Sequence, residues 1–188
     1  MQKQSEIVKT LSDKELYANV YMTQVGIFVL ALISAFFFQG SVFEHFTKII
    51  YTNEALLYGS IFAFIAVALN LFFTSILPSS YFDDGGINER IFRRMHPLHI
   101  VFISMVVAVS EEILFRAILQ EELGLIIASV IFALIHIRYV TKPFLFGFVI
   151  ILSFALGILY MWTGNLLTVI VAHFLIDAIL GFIIRYKR

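Results

Sequence analysis

Glu111, Glu112, Arg116, His136, His173 and Asp177 stand in stretches otherwise made largely of Ile, Leu, Val, Phe and Ala. An ionisable side chain at mid-membrane costs ~2.5–3.5 kcal/mol on insertion scales, so it turns into the bundle and commonly serves a function. Glu112 and Arg116 are four apart and share a helix face, where a Glu-before-Arg ion pair lowers the burial cost of both. Glu111 is turned ~100° from Glu112 and cannot face Arg116 equally well, which leaves it the less neutralised carboxylate and the candidate reactive one. His173 and Asp177 form a second i, i+4 pair, in which the carboxylate can orient the imidazole or act beside it. Phe132 lies one turn from His136 and reads as pocket wall. A carboxylate and an imidazole around a polar cavity can deprotonate water. A second imidazole with its neighbour can steady the oxyanion formed when water adds to an amide carbonyl. Glu111, His136, His173 and Asp177 also suit a zinc-type ion, so a metal-bound water stays open beside the glutamate-activated one.

Composition narrows the setting. Of 188 residues, 61% are hydrophobic, 14% are charged and none is cysteine. Soluble domains hold about 45–50% apolar and about 25% charged residues, so the composition places this chain in lipid. A net charge of zero argues against nucleic acid, whose binding needs a basic face. Without cysteine there is no thiol nucleophile and no Cys-ligated metal. The chain also lacks a His-Glu-x-x-His helix and a Gly-x-Ser-x-Gly elbow, and Asp177 is the lone aspartate within an expected span, so an aspartyl dyad is missing.

The elements that must position these groups follow from charge-free blocks at 16–43, 55–82 and 143–172. Each is long enough for the ~20 residues that cross a ~30 Å hydrocarbon layer. Splitting the last block at Trp162-Thr163-Gly164-Asn165 and adding two weaker spans predicts an all-α, polytopic membrane bundle of about six helices. Their expected ranges are 18–38, 55–77, 98–119, 123–139, 143–161 and 165–184. They form a single integral membrane domain over 1–188, with the motif-bearing part at 98–181. The third and fourth make a hairpin turning near Glu121-Glu122. Counted from Leu123 at ~1.5 Å per residue, Glu111 and His136 lie at nearly equal depth, ~18–20 Å from the turn. His173, counted from Gly164, lies ~13–14 Å from the same surface. Three groups on three helices are thereby expected to meet near the bilayer centre. His45, His96 and His99 lie in or beside connections and read as structural.

Basic residues set the orientation. Lys3, Lys9, Lys14, Arg90, Arg93, Arg94, Arg138, Lys142, Arg185, Lys187 and Arg188 fall on the N-terminal side, against Lys48 alone on the other, which predicts both termini in the cytoplasm. A cleavable signal peptide is not expected, since the first apolar run is long enough to span. Between spans, Ile87, Ile91 and Met95 recur at i, i+4, i+8 with Arg90, Arg93 and Arg94 off that stripe. This reads either as an interfacial helix with its arginines toward headgroups or as an ordinary basic inside loop.

Three short motifs carry a resemblance. Glu111-Glu112-Ile113-Leu114-Phe115-Arg116 resembles a Glu-Glu-x-x-x-Arg motif, Phe132 to His136 a Phe-x-x-x-His motif, and His173 to Asp177 a His-x-x-x-Asn/Asp motif. In this order on separate helices they are similar to the CPBP family (CAAX proteases and bacteriocin-processing enzymes, also called Abi), which includes the type II CAAX prenyl endopeptidases. The resemblance covers about Leu98 to Gly181. It implies an intramembrane protease in an all-helical bundle with a conical cavity open to the membrane. Glu111 and His136 would then activate water, His173 and Asp177 would take the oxyanion positions, and Glu112 and Arg116 would accompany them. Where the prenyl endopeptidases carry Asn, this chain has Asp177, which accepts hydrogen bonds but donates none when ionised.

The leading expectation is an endopeptidase of a bacterial plasma membrane, embedded in lipid and acting on a peptide or lipidated protein, with or without a membrane protein partner. A noncatalytic scaffold, regulator or immunity protein of the same fold is the alternative. A proton or ion carrier stands behind both.

Overall fold

The computed structural model describes residues 10–39, 44–140 and 142–187. Lys3, Lys9 and Arg188, counted above for orientation, lie outside the described residues, as do the side chains of His45 and Arg138. The described residues are mostly helical, with short connections and no strand among them. Helices α1 (Asp13–Gln39), α2 (Asn53–Ile76), α6 (Pro143–Thr163) and α7 (Leu166–Tyr186) each form a separate apolar rod. Between them lie a short helix α3 (Ile87–Phe92), then α4 (Pro97–Glu112), a π-helical segment (Ile113–Gln120) and α5 (Glu121–Ile135).

Among the described residues, five helical stretches are long and apolar enough to cross a membrane, with mean hydropathy of 2.0 to 2.5. One of them, Pro97–Ile135, is 39 residues long and contains the expected third span and all but the last residues of the fourth. It folds back on itself at Gly124, whose φ of 83° and ψ of 165° interrupt the helix in a conformation that side chains rarely adopt. Phe115 and Phe132 show the reversal: they would lie ~25 Å apart along a straight helix, and their ring centroids are 4.9 Å apart. The break expected near Glu121-Glu122 therefore comes a few residues later, at the first residue able to take positive φ.

Local chemistry explains the other ends. Thr52 caps α2 by accepting from the Ala55 N–H at 3.0 Å, and Asn165 caps α7 by accepting from Leu167 N–H at 3.0 Å. His96 caps α4, with Pro97 in its first turn. α1 begins at Asp13, earlier than expected, because Ser12 and Glu15 form a reciprocal capping box. α2 packs on α7 through the small stripe Ala55, Gly59, Ala63 and Ala66, which lets two helices approach closely in lipid. Large apolar side chains such as Phe37, Phe64, Ile126 and Ile151 face outward, the disposition lipid demands.

The stripe on α3 corrects one expectation. Ile87, Ile91 and Met95 are buried against Leu16, Ile100 and Ile103, not laid in lipid. The bundle offered that stripe a packed protein partner, so α3 serves as a wedge beneath α1, α4 and α7.

Candidate active site

Glu112 and Arg116 are both fully buried. Glu112 Oε2 accepts from Arg116 Nε at 3.1 Å. The guanidinium donates further to Gln120 Oε1 at 3.2 Å and to Ser153 Oγ on α6 at 3.0 Å. Gln120 Nε2 in turn donates to the Gly157 carbonyl at 2.9 Å. Glu112, Arg116 and Gln120 are spaced by fours across the junction of α4 with the π segment. Four residues of α-helix overshoot a full turn by ~40°, and the wider i→i+5 winding offsets that drift. The three side chains thus stay on one face and turn toward α6.

The second oxygen of Glu112 is also used. Oε1 accepts from His173 Nδ1 at 2.7 Å, joining α4 to α7. Sequence spacing paired His173 with Asp177; in the structure its tighter partner is Glu112, and His173 Nε2 stands 3.5 Å from Asp177 Oδ2. The signal was present in principle, since a carboxylate that satisfies an arginine with one oxygen still has another to offer. Asp177 is about one third exposed while His173 is nearly enclosed, so the pair runs from the interior toward an open side.

Glu111 points elsewhere. It is 5% exposed, and Oε1 accepts from Gln24 Nε2 of α1 at 3.2 Å. Gln24 Oε1 accepts from Ser110 Oγ at 2.6 Å. Glu111 Oε2 is buried with no hydrogen-bond partner among the described residues. The carboxyl group lies within electrostatic reach of His173, His136 and Asp177. Gln24 and Ser110 were not singled out from sequence: each is an uncharged polar residue in an apolar run, a type that packs quietly in most membrane helices.

His136 ends α5 instead of continuing it to 139, with φ −78° and ψ 48°. Its Nδ1 lies 2.8 Å from the Phe132 carbonyl. A carbonyl only accepts, so Nδ1 carries the proton, and Nε2 of the neutral ring is a lone-pair base. The Phe132 ring is the hub of the region. Its centroid lies 4.8 Å from that of His136, 6.3 Å from that of His173 and 5.4 Å from the Arg116 guanidinium carbon. Two imidazoles from different helices therefore flank one aromatic wall.

The four donors considered for a metal do not form a cage. Among the described residues no group of three or more His, Asp or Glu side chains is gathered for a metal ion. Each imidazole has its Nδ1 committed to a protein acceptor, and His173 Nε2 faces Asp177. Two surface recesses, of about 430 and 340 Å³, are lined by other residues: one by Lys48, Glu121 and Tyr160 among others, one by Asp13, Arg90 and Arg94 among others. Neither is the conical cavity the resemblance implied. His96 and His99 do structural work, His96 as a cap and His99 in a 2.6 Å contact with the Tyr21 hydroxyl.

Comparison with known proteins bears on this geometry. Residues 93–179 match the family described as Type II CAAX prenyl endopeptidase Rce1-like. Uncharacterized protein YpbD of Bacillus subtilis (strain 168) is 44% identical over 131 residues, covering 70% of this chain and 69% of its own. No solved structure matches. The matched region contains Glu111, Glu112, Arg116, Phe132, His136, His173 and Asp177, and the chain belongs to the CPBP family, within which it is similar to the Rce1-like type II CAAX prenyl endopeptidases.

Proposed function

We propose that the chain is an intramembrane endopeptidase that hydrolyses a peptide bond of a membrane-associated or lipidated peptide or protein. The observation that carries this reading is the buried Oε2 of Glu111, which has no hydrogen-bond partner among the described residues and stands within electrostatic reach of two imidazoles, one of them bonded to a helix carbonyl through Nδ1 so that Nε2 is its base. Water held between Glu111 and His136 loses a proton to this pair and attacks the scissile carbonyl. The oxyanion that forms needs a donor, and His173 supplies Nε2–H. Its 3.5 Å separation from Asp177 is too long to saturate that hydrogen. Asp177 then acts by orienting His173 and balancing its charge, a role open to an aspartate where a direct oxyanion contact is not. Glu112, pinned by Arg116, holds the other side of the same ring. Substrate reaches the site past Asp177, which is about one third exposed.

The proposed setting is the plasma membrane; the basic tally supports both termini in the cytoplasm, with the Pro97–Ile135 hairpin counted as two crossings. The chemistry uses protein groups and water, so cleavage persists when the purified protein is treated with a chelator. The direct test is purified Glu111→Gln assayed on a fluorogenic peptide ending in an S-farnesylated CAAX-type tail. Lost cleavage with normal membrane abundance supports the reading. Undiminished activity sinks it and favours the scaffold.

A further inference from the structure

Gln24 lies on α1, far outside the matched residues 93–179, yet it is the side chain bonded to Glu111. It is buried, and its amide is held at both ends: Nε2 on Glu111 Oε1 at 3.2 Å, Oε1 against Ser110 Oγ at 2.6 Å. We propose that Gln24 is a positioning residue, whose amide with the Ser110 hydroxyl holds the Glu111 carboxyl group in one orientation through both of its protonation states. The inference rests on the peptidase reading, in which Glu111 gains a proton from water and later gives it up.

The chemistry of the two partners makes this workable. An ionised carboxylate only accepts, so it needs Nε2–H of Gln24. A protonated carboxyl can donate, and a half-turn of the amide offers it Oε1 instead. After that turn Nε2 faces Ser110, which must accept. Its hydroxyl hydrogen already has a second acceptor, the Val106 carbonyl at 2.8 Å. Amide and hydroxyl can thus exchange direction together, with the contacts from Glu111 Oε1 to Gln24 and from Gln24 to Ser110 kept at either step. A lysine or arginine in the place of Gln24 would serve only the ionised form, and a carboxylate only the protonated one. In either state Oε1 of Glu111 is engaged, which keeps Oε2 as the oxygen that meets water.

The test combines kinetics with the infrared carboxyl bands of the full-length protein in lipid nanodiscs, where the Glu111 bands are those missing from Glu111→Gln. Gln24→Met keeps size and loses both hydrogen-bonding ends; Ser110→Ala removes only the second link. With the farnesylated fluorogenic peptide, Gln24→Met is expected to lower kcat by about 10–100-fold, the range for residues that orient a reacting group from behind it, with KM unchanged and the Glu111 bands displaced. Ser110→Ala is expected to do the same to a smaller degree. Unmoved Glu111 bands in a folded Gln24→Met protein overturn the proposal whatever the kinetics. Displaced bands with kcat within about twofold of wild type overturn its role in the reaction. Displaced bands in a preparation whose wild type cleaves nothing leave the hold on Glu111 standing and strike the peptidase reading.

Discussion

Glu111 and Glu112 are consecutive in the chain and are solvated by two different regions of the protein. Around Glu112 every strong valence is filled: one oxygen on Arg116, the other on His173, and the guanidinium spread over Gln120 and Ser153. Around Glu111 one oxygen is held by Gln24 and the other has no partner among the described residues. Saturation and vacancy thus sit one residue apart. A filled carboxylate braces helices and a half-filled one retains capacity to react, since an unpaired buried acceptor costs about 1–3 kcal/mol that some use must justify.

The contrast can be broken experimentally. The largest effect is expected at Glu111→Gln, with kcat reduced by about 10²–10⁴-fold, or ~3–5 kcal/mol in the barrier, and an unchanged melting temperature. A melting point as depressed as in the Arg116 variant would erase the distinction. Arg116→Met strands Glu112 and should cost about 3–5 kcal/mol of stability, read as lower membrane yield and earlier thermal unfolding. Adding Glu112→Leu should recover part of that loss, because it removes the uncompensated charge; no recovery would show that the arginine matters for something other than this pair. Gly157→Ala comes next. The new methyl would lie 2.3 Å from Leu125 Cδ1, 2.7 Å from Gln120 Oε1 and 3.1 Å from Arg116 Nη1. A loss of about 1–3 kcal/mol is expected, with KM for the peptide unaltered. The smallest effect belongs to Lys48→Ala, which removes a partly exposed pair with Glu121 and should change stability by less than about 1 kcal/mol, less still in high salt.

Much of this arrangement could be read from residue type and spacing because burying charge in lipid is costly enough to leave few solutions. The helices at 53–76, 143–163 and 166–186 fall close to the charge-free blocks that forecast them. Moving the pivot from Leu123 to Gly124 merely exchanges the two counts, about 13 residues back to Glu111 and about 12 on to His136, so the near-equal depth expected of them is unaltered. Other features depend on information that no single helix carries. The bond from His173 to Glu112 is set by how α7 packs on α4, and Gln24 gains meaning only when α1 is laid beside Ser110. The burial of Ile87, Ile91 and Met95 escaped notice because an apolar stripe looks the same whether lipid or protein covers it.

The π-wound turn at Ile113–Gln120 has a consequence for how such chains diverge. Its i→i+5 bonding stores surplus length between the acidic pair and the hairpin's reversal. Loss of a single residue there can be absorbed by rewinding to the tighter helix, with both ends still anchored. A deletion among Ile113, Leu114 and Phe115 would rotate Arg116 away from Glu112 while the two rods remained packed. A chain carrying such a gap would keep the architecture without the alignment of its buried ion pair.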